Sequence, residues 1–189
     1  MTPEHVEQTD WEGALRYLHE DSFAYMATGP RRHEDWRLDV LAVMNRSVAD
    51  PRGWAVLDEW VGSPGADEPA HPFQPPDLEK LGGRLYEIAP ESAAQQLVAM
   101  TDDGCMLPKV LKDRPERLDG LMERARTVLA RFGASPVCLT NVTEARDNRT
   151  PDYFSSSRGW TQMSVYSEDI GLVVLSEAEV GVFWTFADY

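Results

Sequence analysis

The sequence predicts an α+β fold: a C-terminal three-stranded antiparallel meander, extended by one or two earlier strands and packed against about four helices. Three observations predict this class. Short runs rich in β-branched and aromatic residues follow one another after Gly159, and the turns between them are short enough for hairpins. Upstream, apolar residues recur at helical spacing in several separate segments.

The predicted meander has strands at 160–166, 172–175 and 180–186, with turns at 167–171 and 176–179. The second strand is apolar on both faces, so we expect it to be covered on both faces. The third places four apolar side chains on one side at period two: Val180, Val182, Trp184 and Phe186. Helices are therefore expected to pack against this sheet.

Four upstream segments have the spacing of amphipathic helices, at about 10–20, 34–48, 90–100 and 115–132. The first places Trp11, Ala14, Leu15 and Leu18 on one face. The buried face of the second is predicted to hold Trp36, Val40, Val43, Met44 and Ser47. The last is the longest, with an apolar face over four turns: Leu118, Leu121, Met122, Ala125, Val128, Leu129 and Phe132. Earlier strands are predicted at 54–61, 84–89 and 137–142.

A chain of 189 residues is long enough for one well-filled core and short for two domains, so we expect residues 1–189 to form a single globular domain. Residues 62–76 contain five Pro and two Gly and are predicted to be a surface loop or an internal hinge. Loops of this length are often functional.

The net charge of −14 argues against nucleic acids and anionic membranes as partners, because their phosphates would be repelled. No apolar run approaches the roughly 20 residues of a membrane helix. The acidic N-terminus lacks the pattern of a signal peptide, so a cytoplasmic location is expected. Cys105 and Cys138 are too few for a disulfide framework and are predicted to be buried thiols.

Motifs that carry chemistry are scarce. His-Glu-Asp occurs at 19–21 and at 33–35, but adjacent residues on a helix do not face one another and no second His follows at metal-binding spacing. These two tripeptides are therefore interpreted as a solvated helix end and a solvated helix start. Nucleophile motifs and phosphate-binding loops are absent, and the sequence predicts no catalytic residue, metal or cofactor.

The first functional hypothesis is a non-enzymatic acidic module that binds a basic protein partner, as an inhibitor or immunity protein binds a basic toxin or nuclease. Complementary charge would speed the encounter and exclude nucleic acid from the cleft of the partner. The candidate binding residues combine carboxylates with one tryptophan: Asp58, Glu59, Trp60, Asp67, Glu68, Glu168, Asp169, Glu177 and Glu179.

Two alternatives stay open. One is a small cofactor-free enzyme or ligand-binding domain, with a pocket between sheet and helices and chemistry from residues such as His19, His33, Asp58 or Glu59. The other is an accessory subunit of a larger assembly, which an apolar interface patch would mark.

Overall fold

A computed structural model describes residues 8–20, 22–48, 52–56, 68–74, 77–101, 115–154 and 158–187. In these ranges six strands form one antiparallel sheet in the order β2-β1-β6-β5-β4-β3. The strands are β1 (Ala24–Pro30), β2 (Arg52–Val56), β3 (Tyr86–Ile88), β4 (Val137–Thr140), β5 (Glu168–Leu175) and β6 (Glu179–Ala187). The helices are α1 (Gln8–His19), α2 (Trp36–Met44), α3 (Leu78–Arg84), α4 (Pro90–Ala99) and α5 (Pro115–Ala130), with a 3-10 turn at Thr143–Arg146.

The α+β class is thus confirmed, and the position of the C-terminal strands explains why they are so apolar. Strands β5 and β6 form a hairpin and lie at the centre of the sheet, with β4 beside β5 and β1 beside β6. Helices cover both faces, so alternate side chains of β5 and β6 enter two different cores.

The prediction that 160–166 forms the first strand of the meander is wrong, because this segment makes only isolated bridges and no continuous strand pairing. In this segment Trp160 makes an isolated bridge to Val142 and Ser164 makes one to Phe73. The physical reason is a competing acceptor, since the backbone N–H groups of Met163 and Ser164 both donate to a carboxylate oxygen of Asp169. Strand β5 accordingly begins at Glu168, inside the stretch predicted to be a turn.

One face of the sheet is covered by α1, α4 and α5. The four residues predicted for the buried face of the first helix, Trp11, Ala14, Leu15 and Leu18, all lie in this core. They pack with the apolar face of α5 and with Phe183 of β6. The helical periodicity of both segments therefore identified the correct faces.

The second face is covered by α2, α3 and two irregular segments, 68–74 and 158–166. The four period-two residues of β6, from Val180 to Phe186, all belong to this core, as predicted. Helix α2 contributes Val40, Val43 and Met44, whereas Ser47 lies exposed beyond the end of the helix. The helix stops there because Arg46 adopts a positive φ of 53°, outside the helical region.

The predicted loop at 62–76 is described only over 68–74, and this part is packed rather than free. Phe73 is 3% exposed and its ring contacts the rings of Tyr25, Trp184 and Phe186 edge-on. The backbone N–H of Gln74 donates to the carbonyl of Met163 at 3.0 Å. The rest of the predicted loop lies outside the described residues.

Candidate functional site

The nine candidate binding residues lie in different parts of the chain, and the structure describes five of them. Asp58, Glu59, Trp60 and Asp67 lie outside the described residues, and their predicted role stays a prediction. Of the other five, Glu68 lies in the segment 68–74, and four belong to the central hairpin: Glu168, Asp169, Glu177 and Glu179.

Asp169 is buried, with 1% of its surface exposed, and this removes it from any docking surface. Its side chain lies on the inner side of β5 and accepts hydrogen bonds from three side chains, Ser164, Asn141 and Trp184, in addition to the two backbone N–H groups above. These five donors compensate the burial of a carboxylate. Asp169 therefore organises the loop before β5.

Glu179 also faces inward, at the start of β6. Its carboxylate receives two hydrogen bonds from the guanidinium of Arg131, at 2.8 and 3.0 Å, and one from the hydroxyl of Thr28 at 3.0 Å. Arg131 in turn lies over the ring of Trp11, 4.5 Å from its centre. This pair ties α5 to the sheet, so Glu179 is occupied within the fold.

Three candidate carboxylates face solvent: Glu68 and Glu177 are exposed, and Glu168 is half-buried. Glu177 lies in the turn between β5 and β6, whereas Glu168 begins β5. The strand between them is eight residues long, so the two ends are about 23 Å apart. The acidic candidates therefore do not form one continuous patch.

Glu68 and Glu168 lie at the same end of the sheet, because the segment after Glu68 packs against the loop that leads into β5. The ring of His71 is 6.2 Å from the ring of Tyr166, and the N–H of Val165 donates to the carbonyl of Pro72 at 3.0 Å. We call residues 68–71 and 165–168 the loop-anchor surface.

The loop-anchor surface combines two solvent-facing carboxylates with an exposed aliphatic side chain. Neither Glu68 nor Glu168 has a side-chain hydrogen bond or ion pair with another residue in the described ranges, and Val165 is 48% exposed. The guanidinium of Arg46 donates to the carbonyl of Pro69, the residue after Glu68, at 3.0 Å. Burial, with Arg46 as a lesser cause, lowers the pKa of His71, which keeps this imidazole neutral at pH 7.

A second arrangement lies at the opposite end of the sheet, where β1 leads into α2. The Nδ1 atom of His33 is 2.6 Å from Oδ1 of Asp39. Asp39 also accepts the backbone N–H groups of Arg32 and His33, at 3.1 and 3.2 Å, and is 3.3 Å from Nε of Arg31. The segment 33–35 was predicted to be a solvated helix start. In the structure His33 is instead paired with the buried carboxylate of Asp39, six residues further on.

Sequence reasoning missed Asp39, although one signal was present. Asp39 follows Trp36 by three residues and precedes Val43 by four, so an acid lies on the buried face of α2. Buried acids are paired or hydrogen-bonded, so an acid at such a position is expected to have a hydrogen-bond or ion-pair partner. The partner itself, His33, lies before the helix and could not be identified by helical spacing.

His19, at the end of the other His-Glu-Asp stretch, is fully buried rather than solvated. Desolvation lowers the pKa of His19 to about 3, and the nearby Met100 backbone opposes this shift only in part. Among the described residues, neither ring nitrogen has a partner that meets hydrogen-bonding geometry. Burial likewise raises the pKa of the Cys138 thiol to about 12, with Glu87 as a lesser cause, so this thiol is a poor nucleophile.

Within the described ranges, no group of three or more His, Cys, Asp or Glu side chains could hold a metal ion. None of the helices described is both long enough and apolar enough to cross a membrane. No protein-family model matches this sequence, and neither a curated protein nor a solved structure is significantly similar to it.

Proposed function

We propose that the chain is an acidic protein-binding module that docks a basic protein through the loop-anchor surface. The observation that carries this proposal is the position of Glu68 and Glu168. Both carboxylates lie at one end of the sheet, without partners in the described ranges, on the same surface as the exposed Val165. Carboxylates around an apolar contact are the arrangement expected for a surface that recognises lysine or arginine side chains.

The distribution of charge supports the same surface. The described residues hold 21 acidic and 15 basic side chains, whereas the remaining residues hold 11 acidic and 3 basic ones. Most of the acidic excess therefore belongs to segments outside the described ranges. One of these segments ends at Asp67, directly before Glu68, so the candidate acids Asp58, Glu59 and Asp67 belong to a stretch that is continuous in sequence with the loop-anchor surface.

Anchoring of the surface also favours binding. Phe73 holds residues 68–74 against the sheet, and Asp169 holds residues 163–164 in place. A surface that is already ordered loses little conformational entropy when a partner docks, so more of the contact energy remains as affinity.

An inhibitor or immunity-type role is the specific form of this proposal. A basic toxin or nuclease carries a positive cleft for its anionic substrate, and an acidic surface that covers this cleft blocks substrate by charge and by bulk. The expected complex forms rapidly and weakens as salt concentration rises.

An accessory subunit is the less favoured alternative, because its interface would be an apolar patch. The large hydrophobic side chains exposed in the described ranges are Tyr17, Leu38, Val137 and Val165. They come from α1, α2, β4 and the loop before β5 respectively, and so from different elements of the fold.

The test is affinity capture from native cell lysate at low and at high salt, with the bound proteins identified. Three baits are compared: the unchanged chain, the double variant Glu68→Lys/Glu168→Lys, and the matched double variant Glu116→Lys/Glu123→Lys. Both variants change the net charge by the same amount. The control residues are exposed and lie on α5.

The proposal expects one basic partner, released at high salt, that the unchanged chain and the control variant capture equally. The Glu68→Lys/Glu168→Lys bait should lose this partner, with an affinity at least about tenfold lower at low salt. Equal loss with both variants would mean that net charge alone attracts the partner, and no partner at either salt would contradict a binding function.

A further inference from the structure

The arrangement around His33 is independent of the loop-anchor surface and lies at the other end of the sheet. At this end the N–H of Arg31 donates to the carbonyl of Ala178 in the turn between β5 and β6, and the guanidinium of Arg31 donates to the carbonyl of Ser176 at 3.2 Å. The segment 31–33 is therefore fixed to the central hairpin on one side and to Asp39 of α2 on the other.

The contact with Asp39 determines which ring nitrogen of His33 carries the proton. An ionised carboxylate can only accept hydrogen bonds, so Nδ1, at 2.6 Å, must be the donor. Burial acts to raise the pKa of Asp39, but the hydrogen bonds from the ring and N–H of His33 and from the N–H of Arg32 outweigh it, so the pKa lies below its usual range. Asp39 is therefore ionised at neutral pH.

When His33 is neutral, its second nitrogen, Nε2, consequently carries a lone pair. The side chain of His33 is 50% exposed, while that of Asp39 is 2% exposed. The ring is thus held from the buried side and open to water on the other. An imidazole oriented by a buried carboxylate is an activated nucleophile or base, because the developing positive charge on the ring is stabilised.

We propose that Nε2 of His33 is a site of covalent modification by activated acyl compounds. The Nε2 lone pair attacks the carbonyl carbon, the bond between that carbon and the leaving group breaks, and an acyl-imidazolium forms. Asp39 accepts the Nδ1 proton, which passes through solvent to the departing group, so the products are neutral acyl-imidazole and the protonated leaving group. No oxidant, reductant or metal takes part.

The other described histidines lack this arrangement. His19 is buried, so a reagent in solution cannot reach it. His71 is partly exposed, but its ring contacts Tyr166 and the guanidinium of Arg46 is the charged group that acts on it. His71 is therefore the internal comparison, a partly exposed imidazole without a carboxylate partner among the described residues.

The test uses diethyl pyrocarbonate, whose reaction with imidazole forms an N–C bond and releases ethyl carbonate, which decomposes to ethanol and carbon dioxide. Peptide mass spectrometry measures the rate at each histidine in the full chain near neutral pH. We expect His33 to react at least about tenfold faster than His71. In Asp39→Asn, whose amide oxygen can still accept the Nδ1–H but carries no charge, the rate at His33 should fall about tenfold.

Equal rates at His33 and His71, or an unchanged rate in a folded Asp39→Asn variant, would overturn the proposal. If that variant fails to fold, ¹⁵N NMR of the unchanged chain decides. A neutral His33 with the proton on Nδ1 supports the proposal, and a neutral His33 with the proton on Nε2 overturns it. Glu123→Gln, which neutralises an exposed carboxylate on α5, is the control that leaves the His33 rate unchanged.

Discussion

The indole N–H of Trp184 donates to Oδ1 of Asp169 at 3.2 Å, between neighbouring strands at the centre of the sheet. Both groups are buried, and the bond orients the Trp184 ring over Gly171. The same carboxylate binds the loop at 163–164, which supports Phe73 and residues 68–71. A buried contact at the centre of the fold thus holds the loop-anchor surface in place.

Replacement of the Asp169 carboxylate should strongly destabilise the fold. Asp169→Ala removes the acceptor of five hydrogen bonds, among them those from Trp184 Nε1 and the N–H of Met163, in a buried site. Of the five donors, Asn141 Nδ2 keeps other acceptors, the backbone carbonyls of Thr161 and Asp169. We expect the free energy of unfolding, measured by urea denaturation, to fall by about 3–5 kcal/mol. Glu168→Ala, next in sequence but solvent-facing, should change it by less than about 0.5 kcal/mol. If Asp169→Ala lowers the free energy of unfolding by less than about 1 kcal/mol, the hydrogen bonds assigned to this carboxylate are contradicted.

Gly171 should be intolerant of any side chain. A Cβ atom there would lie 2.0 Å from Cδ2 of Trp184, so the indole would have to move and release its bond to Asp169. We expect Gly171→Ala to lower the free energy of unfolding by about 3 kcal/mol and to alter tryptophan fluorescence. Gly83→Ala, in α3 with nothing within 4 Å of the new methyl group, should be neutral or stabilising by up to about 1 kcal/mol. Equal effects of the two substitutions would argue against the position of the Trp184 ring over Gly171.

Two ion pairs should differ in their contribution to stability because they differ in burial. Arg131 and Glu179 have side chains 4% and 16% exposed, whereas those of Arg126 and Glu91 are 56% and 58% exposed. Glu179→Ala removes the carboxylate that accepts two hydrogen bonds from a buried guanidinium and should cost about 3 kcal/mol in urea denaturation. Glu91→Ala should cost less than about 1 kcal/mol. A larger loss for Glu91→Ala than for Glu179→Ala would contradict this assignment.

His19 should make the fold sensitive to mild acid. Its pKa is about 3 in the folded chain and about 6.5 when unfolded, so below pH 6.5 the unfolded state binds a proton that the folded state does not. The free energy of unfolding should therefore fall by about 1 kcal/mol between pH 7 and pH 5.5 on account of His19. His71 acts in the same direction, since its pKa is also lowered. Denaturation of His19→Leu at both pH values should show a smaller decrease, and an unchanged decrease would contradict a neutral buried His19.

The sequence predicted the buried faces that depend on regular apolar spacing along a single helix or strand. The faces of α1 and α5 and the inward residues of β6 follow from apolar spacing, because burial against a neighbouring layer imposes that period. It could not predict the loop at 160–166, whose residues alternate like a strand. There the deciding interaction is with a single carboxylate, Asp169, which belongs to the following element.

The same limit applies to the candidate sites. Composition indicated an acidic surface but could not separate Glu68 and Glu168, which face solvent, from Asp169, which is buried one position further along β5. The two residues differ in role because successive side chains of a strand point to opposite faces. Likewise, His33 contacts Asp39 only because the chain turns between β1 and α2. No helical or strand spacing in the sequence indicates such a contact.

Photo-crosslinking at Val165 tests the docking proposal most directly. A photoreactive residue replaces Val165 in one version of the chain and Val137, of similar exposure but at the opposite end of the central hairpin, in another. The account predicts that the captured basic partner crosslinks at position 165 and not at 137. Crosslinking at 137 alone, or at neither position while the partner still binds, would contradict the loop-anchor surface as the site of docking.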